Sequence, residues 1–518
     1  MSAPSVLMLG WEFPPFITGG LGTACHGLTR ALKHAGCDVT FILPLAVDQT
    51  HASHVRLVSP TALAPAGAIS AGGWTASPAA RIIESTTDAE GSIDFHPTDS
   101  AETTAARRAA LLRGTPQRID ILRLRSANHG AYGSVAHRTG ALSDSHAGAA
   151  VDGSTPTVEA RVARLIELGM EPALAWEQVV IGQVIPEAET LPAHVSLPLN
   201  GGYGGDLILA AERYAQFCVQ SARELQFDII HAHDWLTYPA GLALARLTGR
   251  PLVVHVHATE FDRSGTHVNQ QVYNIERRGM HGAVRVMAVS NLTRNLLVNR
   301  YGLSPNKIDV VYNGVELEPA SVGIKRIERG ERIVLYFGRI TMQKGPEYFV
   351  RAAKRVLEVE KNVRFVVAGS GDLASSMIEM AAGLGIGGKM TFTGFLRGRD
   401  IPRVFSMADL YVMPSVSEPF GIAPLEAMGH RVPVIISRNS GVSEVLTHAL
   451  KVDFWDVDDM ANKIVAVLRH PPLRAELRDR GLFEVRGITW DGAAKRCIHS
   501  YEIAMNAVRR LPSHPRRA

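Results

Sequence analysis

Short apolar runs alternate with amphipathic stretches along most of the chain. Val6–Leu9, a Pro/Gly-rich loop, and a pattern with Leu28, Ala31, Leu32 and Ala35 on one face predict strand, loop and helix. Further apolar runs at Val39–Leu43, Ile229–Ala232, Leu252–His257, Val284–Val289 and Ile308–Tyr312 are separated mostly by helical patterns. After Glu316 a second alternation begins, with strands expected at Ile333–Phe337, Val363–Ala368, Met390–Thr393, Leu410–Met413 and Val434–Ile436. Helices are expected between them at Pro346–Glu358, Ala374–Leu384 and Ile422–Met428, and beyond them at Asp458–Leu468 and Trp490–Arg509. Continuous apolar strands alternating with helices predict parallel sheets covered on both faces, the α/β class.

The pattern lapses between about His51 and Pro156 into Ala, Ser, Thr and Gly with few aromatics. Such a segment buries too little apolar surface to offset its ordering entropy, so it reads as a largely irregular insertion, with Ile119–Leu124 as one strand candidate. Helical pattern returns from about Val158 to Gln183, and an amphipathic helix ends near Leu225. The two alternations divide the chain into a first domain over 1–320, a second over 321–488, and a terminal helical segment over 489–518. Two domains also suit the length, 518 residues, because single cores seldom exceed roughly 250.

Composition narrows the function classes. With 46% hydrophobic and 20% charged residues the chain is neither disordered nor fibrous. Its net charge of +4 is spread along the sequence, which leaves no electrostatic footprint for nucleic acid or a membrane surface. Cys25, Cys37, Cys218 and Cys497 are too scattered for a disulfide framework or zinc knuckle and are expected to be buried thiols. No apolar run approaches a membrane span and the N-terminus lacks the basic flank of a secretory signal, so a cytoplasmic location is expected.

Four constellations carry candidate chemistry. Gly19-Gly20-Leu21-Gly22 lies between the first strand and first helix, where it is either a phosphate site or a tight turn. Arg339 and Lys344 follow the first strand of the second domain, at the sheet edge where open α/β proteins bind ligands, and together can neutralise a diphosphate. Glu418-Pro419-Phe420-Gly421-Ile422-Ala423-Pro424-Leu425-Glu426 puts one carboxylate in a loop and a second about two turns along, around a helix start suited to a phosphate or sugar hydroxyl. His231-Ala232-His233-Asp234 and His255-Val256-His257 end strand-like runs, and residues two apart share a face, so each pair suits a metal, sugar hydroxyls or a purely structural role in the core.

Taken together these segments resemble the retaining nucleotide-sugar glycosyltransferases of the GT-B fold, glycogen and starch synthase-like, of the family 4 and family 5 type. The resemblance rests on Trp11-Glu12-Phe13-Pro14-Pro15 leading to Gly19–Gly22, His231–Trp235, the run around His257, Phe337–Gly345 and the two-glutamate motif Glu418–Glu426. It implies two Rossmann-like domains facing a cleft, the acceptor held mainly by the first and the donor nucleotide mainly by the second, with a C-terminal helix crossing back to the first domain.

Residue by residue, it implies that Gly20 and Gly22 approach the donor diphosphate and that Arg339 and Lys344 stabilise its departure. It further implies that Glu426 holds the donor ribose. Glu418 would lie beside the transferred sugar with the backbone of Gly421 and Ile422, His257 near the donor sugar, and Asp234 on the acceptor side. The implied partners are a nucleoside diphosphate sugar and an α-glucan or other glycan, with no metal or other cofactor. Members using ADP-glucose usually carry Lys two residues before the paired glycines; here that position is Ile17, which weighs against ADP-glucose. Two rival readings are a metal-dependent hydrolase built on the His-x-His pairs and a non-catalytic sugar-nucleotide sensor.

Overall fold

The computed structural model describes residues 3–14, 19–45, 54–59, 207–317 and 330–509. Two parallel sheets organise them. The first contains β1 (Ser5–Leu9), β2 (Asp38–Ile42), β3 (Arg56–Val58), β4 (Ile229–His233), β5 (Leu252–Val256), β6 (Arg285–Ala288) and β7 (Ile308–Val310), in the order β3-β2-β1-β4-β5-β6-β7. The second contains β8 (Arg332–Phe337), β9 (Val363–Ala368), β10 (Met390–Gly394), β11 (Leu410–Met413), β12 (Val434–Ser437) and β13 (Leu450–Val452), in the order β10-β9-β8-β11-β12-β13. Both sheets therefore reverse winding direction between their first and fourth strands, and the crevice beyond the carboxyl ends of β1, β4, β8 and β11 is where such sheets bind ligands. The expected α/β class with two Rossmann-like domains is the architecture observed.

Each sheet is buried on both faces, which is why its strands are nearly continuously apolar. Leu7, Ile230 and Val254 pack against Tyr214 and Tyr238, and the opposite face, with Val6, Met8 and Val253, packs against Leu28 of the helix Gly20–His34 and Tyr501 of the helix Trp490–Arg509. In the second sheet Val334 and Val367 meet Phe349 and Ile464, while Leu335 and Ile436 meet Phe405 and Leu425. The helix Trp490–Arg509 thus follows the second domain in sequence but packs on the first. Its Trp490 indole lies so close to Gly27 that a Cβ there would sit 2.3 Å from the ring, so the two helices cross in contact at a glycine.

Several expected boundaries shift. The region expected to be irregular from His51 contains β3, an edge strand pairing parallel with β2 through Thr40 and Arg56. Three elements absent from the sequence reading are β13 and the helices Asp400–Met407 and Pro471–Val485. The helix expected at Ile422–Met428 is Ala423–Gly429, so Glu426 lies in its first turn rather than on a later one. Gly421, at φ 101°, turns the chain sharply enough to delay the start, and Pro424 opens the helix. Ile17, Ile119–Leu124, the Val158–Gln183 pattern and the tail after Leu511 lie outside the described residues. All four cysteines are free and buried, and among the described residues no helix is long and apolar enough to cross a membrane.

Candidate active site

The loop after β8 begins at Gly338 and rises through a short turn, Met342–Lys344, to Gly345. Gly345 sits at φ 60°, and a Cβ there would lie 2.2 Å from the Pro414 carbonyl oxygen; only glycine lets this loop lie against the loop after β11. That approach brings together Lys344 and Glu418, 74 positions apart: Lys344 Nζ donates to Glu418 Oε2 at 2.5 Å, and Ser415 Oγ donates to the same oxygen at 3.3 Å. Glu418 is buried, bridges to Ser440, and is backed by Gly421, whose added Cβ would touch Glu418 Cγ at 3.1 Å. A buried carboxylate held by a cation and a hydroxyl has a fixed position. Arg339 is exposed, and its carbonyl accepts from Tyr336 Oη at 2.8 Å. Glu426 is half-buried on the helix Ala423–Gly429.

On the first sheet, Asp234 follows β4 directly in left-handed backbone, φ 56°. Its Oδ1 accepts from the backbone N–H of His257 at 2.7 Å and of Ala258 at 3.4 Å, so the two strand ends are clamped together. Burial raises the Asp234 carboxyl to about 6. Gly20 and Gly22 form the first turn of the helix Gly20–His34, whose start carries neither a side-chain cap nor an acidic residue. A Cβ built on Gly19 or Gly20 would meet nothing within 4 Å. Among the described residues, packing therefore does not require the absence of a side chain at Gly19 or Gly20.

The histidine pairs merge into one ladder because β4 and β5 are adjacent, with His233 in register with His255. Ring centroids are 4.3 Å apart for His231 and His233, 5.4 Å for His233 and His255, and 4.4 Å for His255 and His257. His231 Nδ1 shares a hydrogen bond of 2.6 Å with Tyr501 Oη, and His233 Nδ1 one of 2.9 Å with His257 Nε2. Burial pushes all four imidazoles far below the ordinary range, His257 to about 3, with mutual repulsion adding to it at His231, His233 and His255. Nitrogens of His231, His233 and His255 lie within 4.8 Å of one another, and those three rings retain unpartnered buried nitrogens. Tetrahedral zinc would need its ligand nitrogens roughly 3.4 Å apart and converging. Here the rings are stacked, with interplanar angles of 25°, 14° and 26°, so their lone pairs run side by side.

The two domains meet beside the Glu418 loop. Ser417 Oγ donates to Asp262 Oδ1 at 2.6 Å, and Asp262 also completes the capping box of the helix Glu260–Ser264, just beyond His257. Thr293 Oγ1 donates to the Pro419 carbonyl at 3.4 Å, and an added Cβ at Gly441 would sit 2.5 Å from Ser290 Cβ. Glu444, from the second domain, accepts from the N–H groups of Asn291 and Leu292 at 2.9 and 2.7 Å, closing the N-terminus of the helix Asn291–Tyr301 in the first. Sequence reasoning missed Ser415, Ser417, Asp262, Gly441 and Glu444. Only the Thr259-x-x-Asp262 spacing carried a readable signal, that of a capping box.

Two facing parallel α/β domains, with the candidate groups at the carboxyl edges of their switch-point strands, define a GT-B glycosyltransferase. Family models agree along the chain: starch synthase catalytic domain over residues 5–90, glycosyltransferase family 4 over 170–319, and glycosyl transferases group 1 over 319–482. The chain is 30% identical over 304 residues to an uncharacterized glycosyltransferase of Methanocaldococcus jannaschii, spanning 55% of this chain and 77% of the relative. A D-inositol 3-phosphate glycosyltransferase of Pseudarthrobacter chlorophenolicus is 28% identical over 301 residues, 54% of this chain and 72% of that protein. Sucrose-phosphate synthase from Thermosynechococcus elongatus shares the fold, with a TM-score of 0.57 at 15% identity over 97% of this chain and all of that one. The chain belongs to the glycosyltransferases.

Proposed function

We propose that the protein is a retaining glycosyltransferase that moves a hexose, most simply glucose, from a nucleoside diphosphate to a hydroxyl of an α-glucan. The observation that carries this reading is the Lys344–Glu418 pair at the switch point of the second sheet, beside the Gly421–Ile422 backbone. As the bond to the leaving diphosphate breaks, negative charge grows on phosphate and positive charge on the sugar. Fixed cations opposite the phosphate then stabilise the transition state more than the ground state. Lys344 and Arg339 have that role, and the bare helix start at Gly20 and Gly22 offers N–H groups to the same diphosphate. Glu418, anchored by Lys344 and Ser415, positions the sugar, while Glu426 holds the ribose. His257 lies near the donor sugar, and Asp234, by clamping the His257 backbone, shapes the acceptor side. In the proposed same-face attack the leaving phosphate takes the acceptor proton, with no metal required, and the enzyme works in the cytoplasm.

The relatives named D-inositol 3-phosphate glycosyltransferases make a small phosphorylated polyol the second acceptor class. Incubation with labelled UDP- and ADP-hexoses, with and without glycogen or the polyol phosphate, tests both. An α-linked product on glycogen supports the reading. Transfer only to the polyol replaces the acceptor, and an inverted product overturns retention.

A further inference from the structure

Apart from the candidate active site, the second domain carries an open recess of about 580 Å³, between the helix Pro346–Val359 and the start of the helix Val457–Arg469. That volume is within the range of small-ligand sites. Trp455 lines it and is 58% exposed, whereas Trp11, Trp235 and Trp490 are at most 8% exposed. An indole is among the side chains most costly to leave in water, so an outward-facing one is the informative kind of exception. Trp455 is also held in place. Its ring stands edge-on to Phe454 at 4.8 Å and 86°, and Phe454 in turn stands edge-on to Tyr348 at 5.2 Å and 69°. The following residue, Asp456, is fixed by capping the next helix through Asp459 N–H at 2.9 Å.

Around the indole stand three cations, Arg351, Lys354 and Arg355, and three carboxylates, Glu358, Asp456 and Asp458. Alone these charges would be an ordinary solvated helix face. Facing the exposed indole they make a recess with no net charge and a high density of donors and acceptors. A phosphate or nucleotide entering it would meet as many carboxylates as cations, and a cation would meet the converse. A neutral polyhydroxylated ring suits both parts: its C–H face lies on the indole, and its hydroxyls pair with guanidinium and carboxylate in turn.

We infer that this recess is a second docking site for a neutral oligosaccharide, a non-reacting stretch of the acceptor glucan. The inference rests on the glucan-transfer reading for its biological use, but binding is measurable without transfer. Full-length protein is run on native gels containing glycogen, alongside Trp455→Ala and Trp455→Phe, with nucleotide binding measured in parallel. Glycogen is expected to retard the wild type, Trp455→Ala to weaken apparent affinity about tenfold or more, and Trp455→Phe to retain part of it. Nucleotide binding and transfer to a short maltooligosaccharide should stay unchanged. Retardation without any transfer to glycogen would sink the glucan reading and leave this site standing. Wild-type protein that glycogen does not retard, a Trp455→Ala protein retarded equally, or nucleotide binding that depends on Trp455 would each overturn the inference.

Discussion

Lys344 and Glu418 form one hydrogen-bonded ion pair, 2.5 Å from Nζ to Oε2, across two loops that only Gly345 allows to touch. The cation proposed for the diphosphate and the carboxylate proposed for the sugar are therefore not independent. Lys344→Ala is expected to lower kcat on the order of 10²–10³-fold, as loss of one oxyanion donor does, and to release Glu418 as well. The double variant Lys344→Ala/Glu418→Ala should then be no more than about tenfold worse than the poorer single variant, because residues acting as a unit are not additive. Multiplicative losses in a kinetic double-mutant cycle would show the pair to act separately.

Transfer should survive chelation. Arg offers a planar fork and Lys a compact point charge to phosphate oxygens, which together do the neutralising that Mg²⁺ performs elsewhere. Treating the purified enzyme with excess EDTA, then assaying initial rates with and without added Mg²⁺, checks this. Rates within about twofold of the untreated enzyme are expected. An enzyme silenced by chelator and restored by Mg²⁺ would refute it.

The histidine ladder should make the fold sensitive to acid. His231, His233, His255 and His257 are held neutral by burial, His257 down to about 3, whereas in the unfolded chain each takes up a proton near its ordinary value of about 6.5. Unfolding below that value binds protons, so their contribution is fully present above it and is lost progressively as pH falls towards the folded values. Asp234, raised to about 6, and Glu276, raised to about 8, act oppositely: they release protons on unfolding between their ordinary and raised values, which offsets part of the slope. His255 is the informative position, since both its ring nitrogens are buried without a partner. His255→Leu removes no hydrogen bond and is expected to raise the melting temperature. Below pH 6.5 it should flatten the stability slope by one proton, about 1.4 kcal/mol per pH unit. Melting curves from pH 5 to pH 8, with an unchanged slope in the variant, would contradict this account.

Much of this architecture was legible because the strands that matter lie in continuous apolar runs buried on both faces. The runs at Val363–Ala368 and Leu410–Met413 are β9 and β11 without adjustment, and three-residue β7 was readable because its apolar run continues to Tyr312, whereas Arg56–Val58 and Leu450–Val452 each carry a cation in only three residues and too little pattern to read. Candidate residues such as Lys344 and Glu418 were findable singly because each follows a strand. Their contact was not, since it depends on a glycine letting two loops touch. Nor was the ladder: two His-x-His pairs look like two separate sites until β4 and β5 pair and stack four rings. The contact between Ser417 and Asp262 spans 155 positions and leaves no local trace at Ser417.

Glu418 and Glu426 should fail differently when changed, and their surroundings say how. Glu418 is buried, bound to Lys344 and Ser415, and braced by Gly421, so its oxygens are fixed beside the place proposed for the sugar, whose charge and geometry change during reaction. An interaction that strengthens only there acts on kcat and kcat/KM together. Glu426 is half-buried in the first turn of the helix Ala423–Gly429, and the ribose it is proposed to hold does not change, so its bonds serve ground and transition states alike. Hydrogen bonds to a charged group are worth roughly 1.5–3 kcal/mol each, and one such loss raises the donor KM about tenfold or more with a smaller change in kcat. Steady-state kinetics of Glu418→Gln and Glu426→Gln at saturating acceptor provide the comparison. Glu418→Gln keeps the side-chain shape but loses the charge that pairs with Lys344, so its rate should fall even at saturating donor. If Glu426→Gln instead abolishes kcat at saturating donor while Glu418→Gln only raises KM, the two roles are exchanged and the sugar lies on the other side of the helix start.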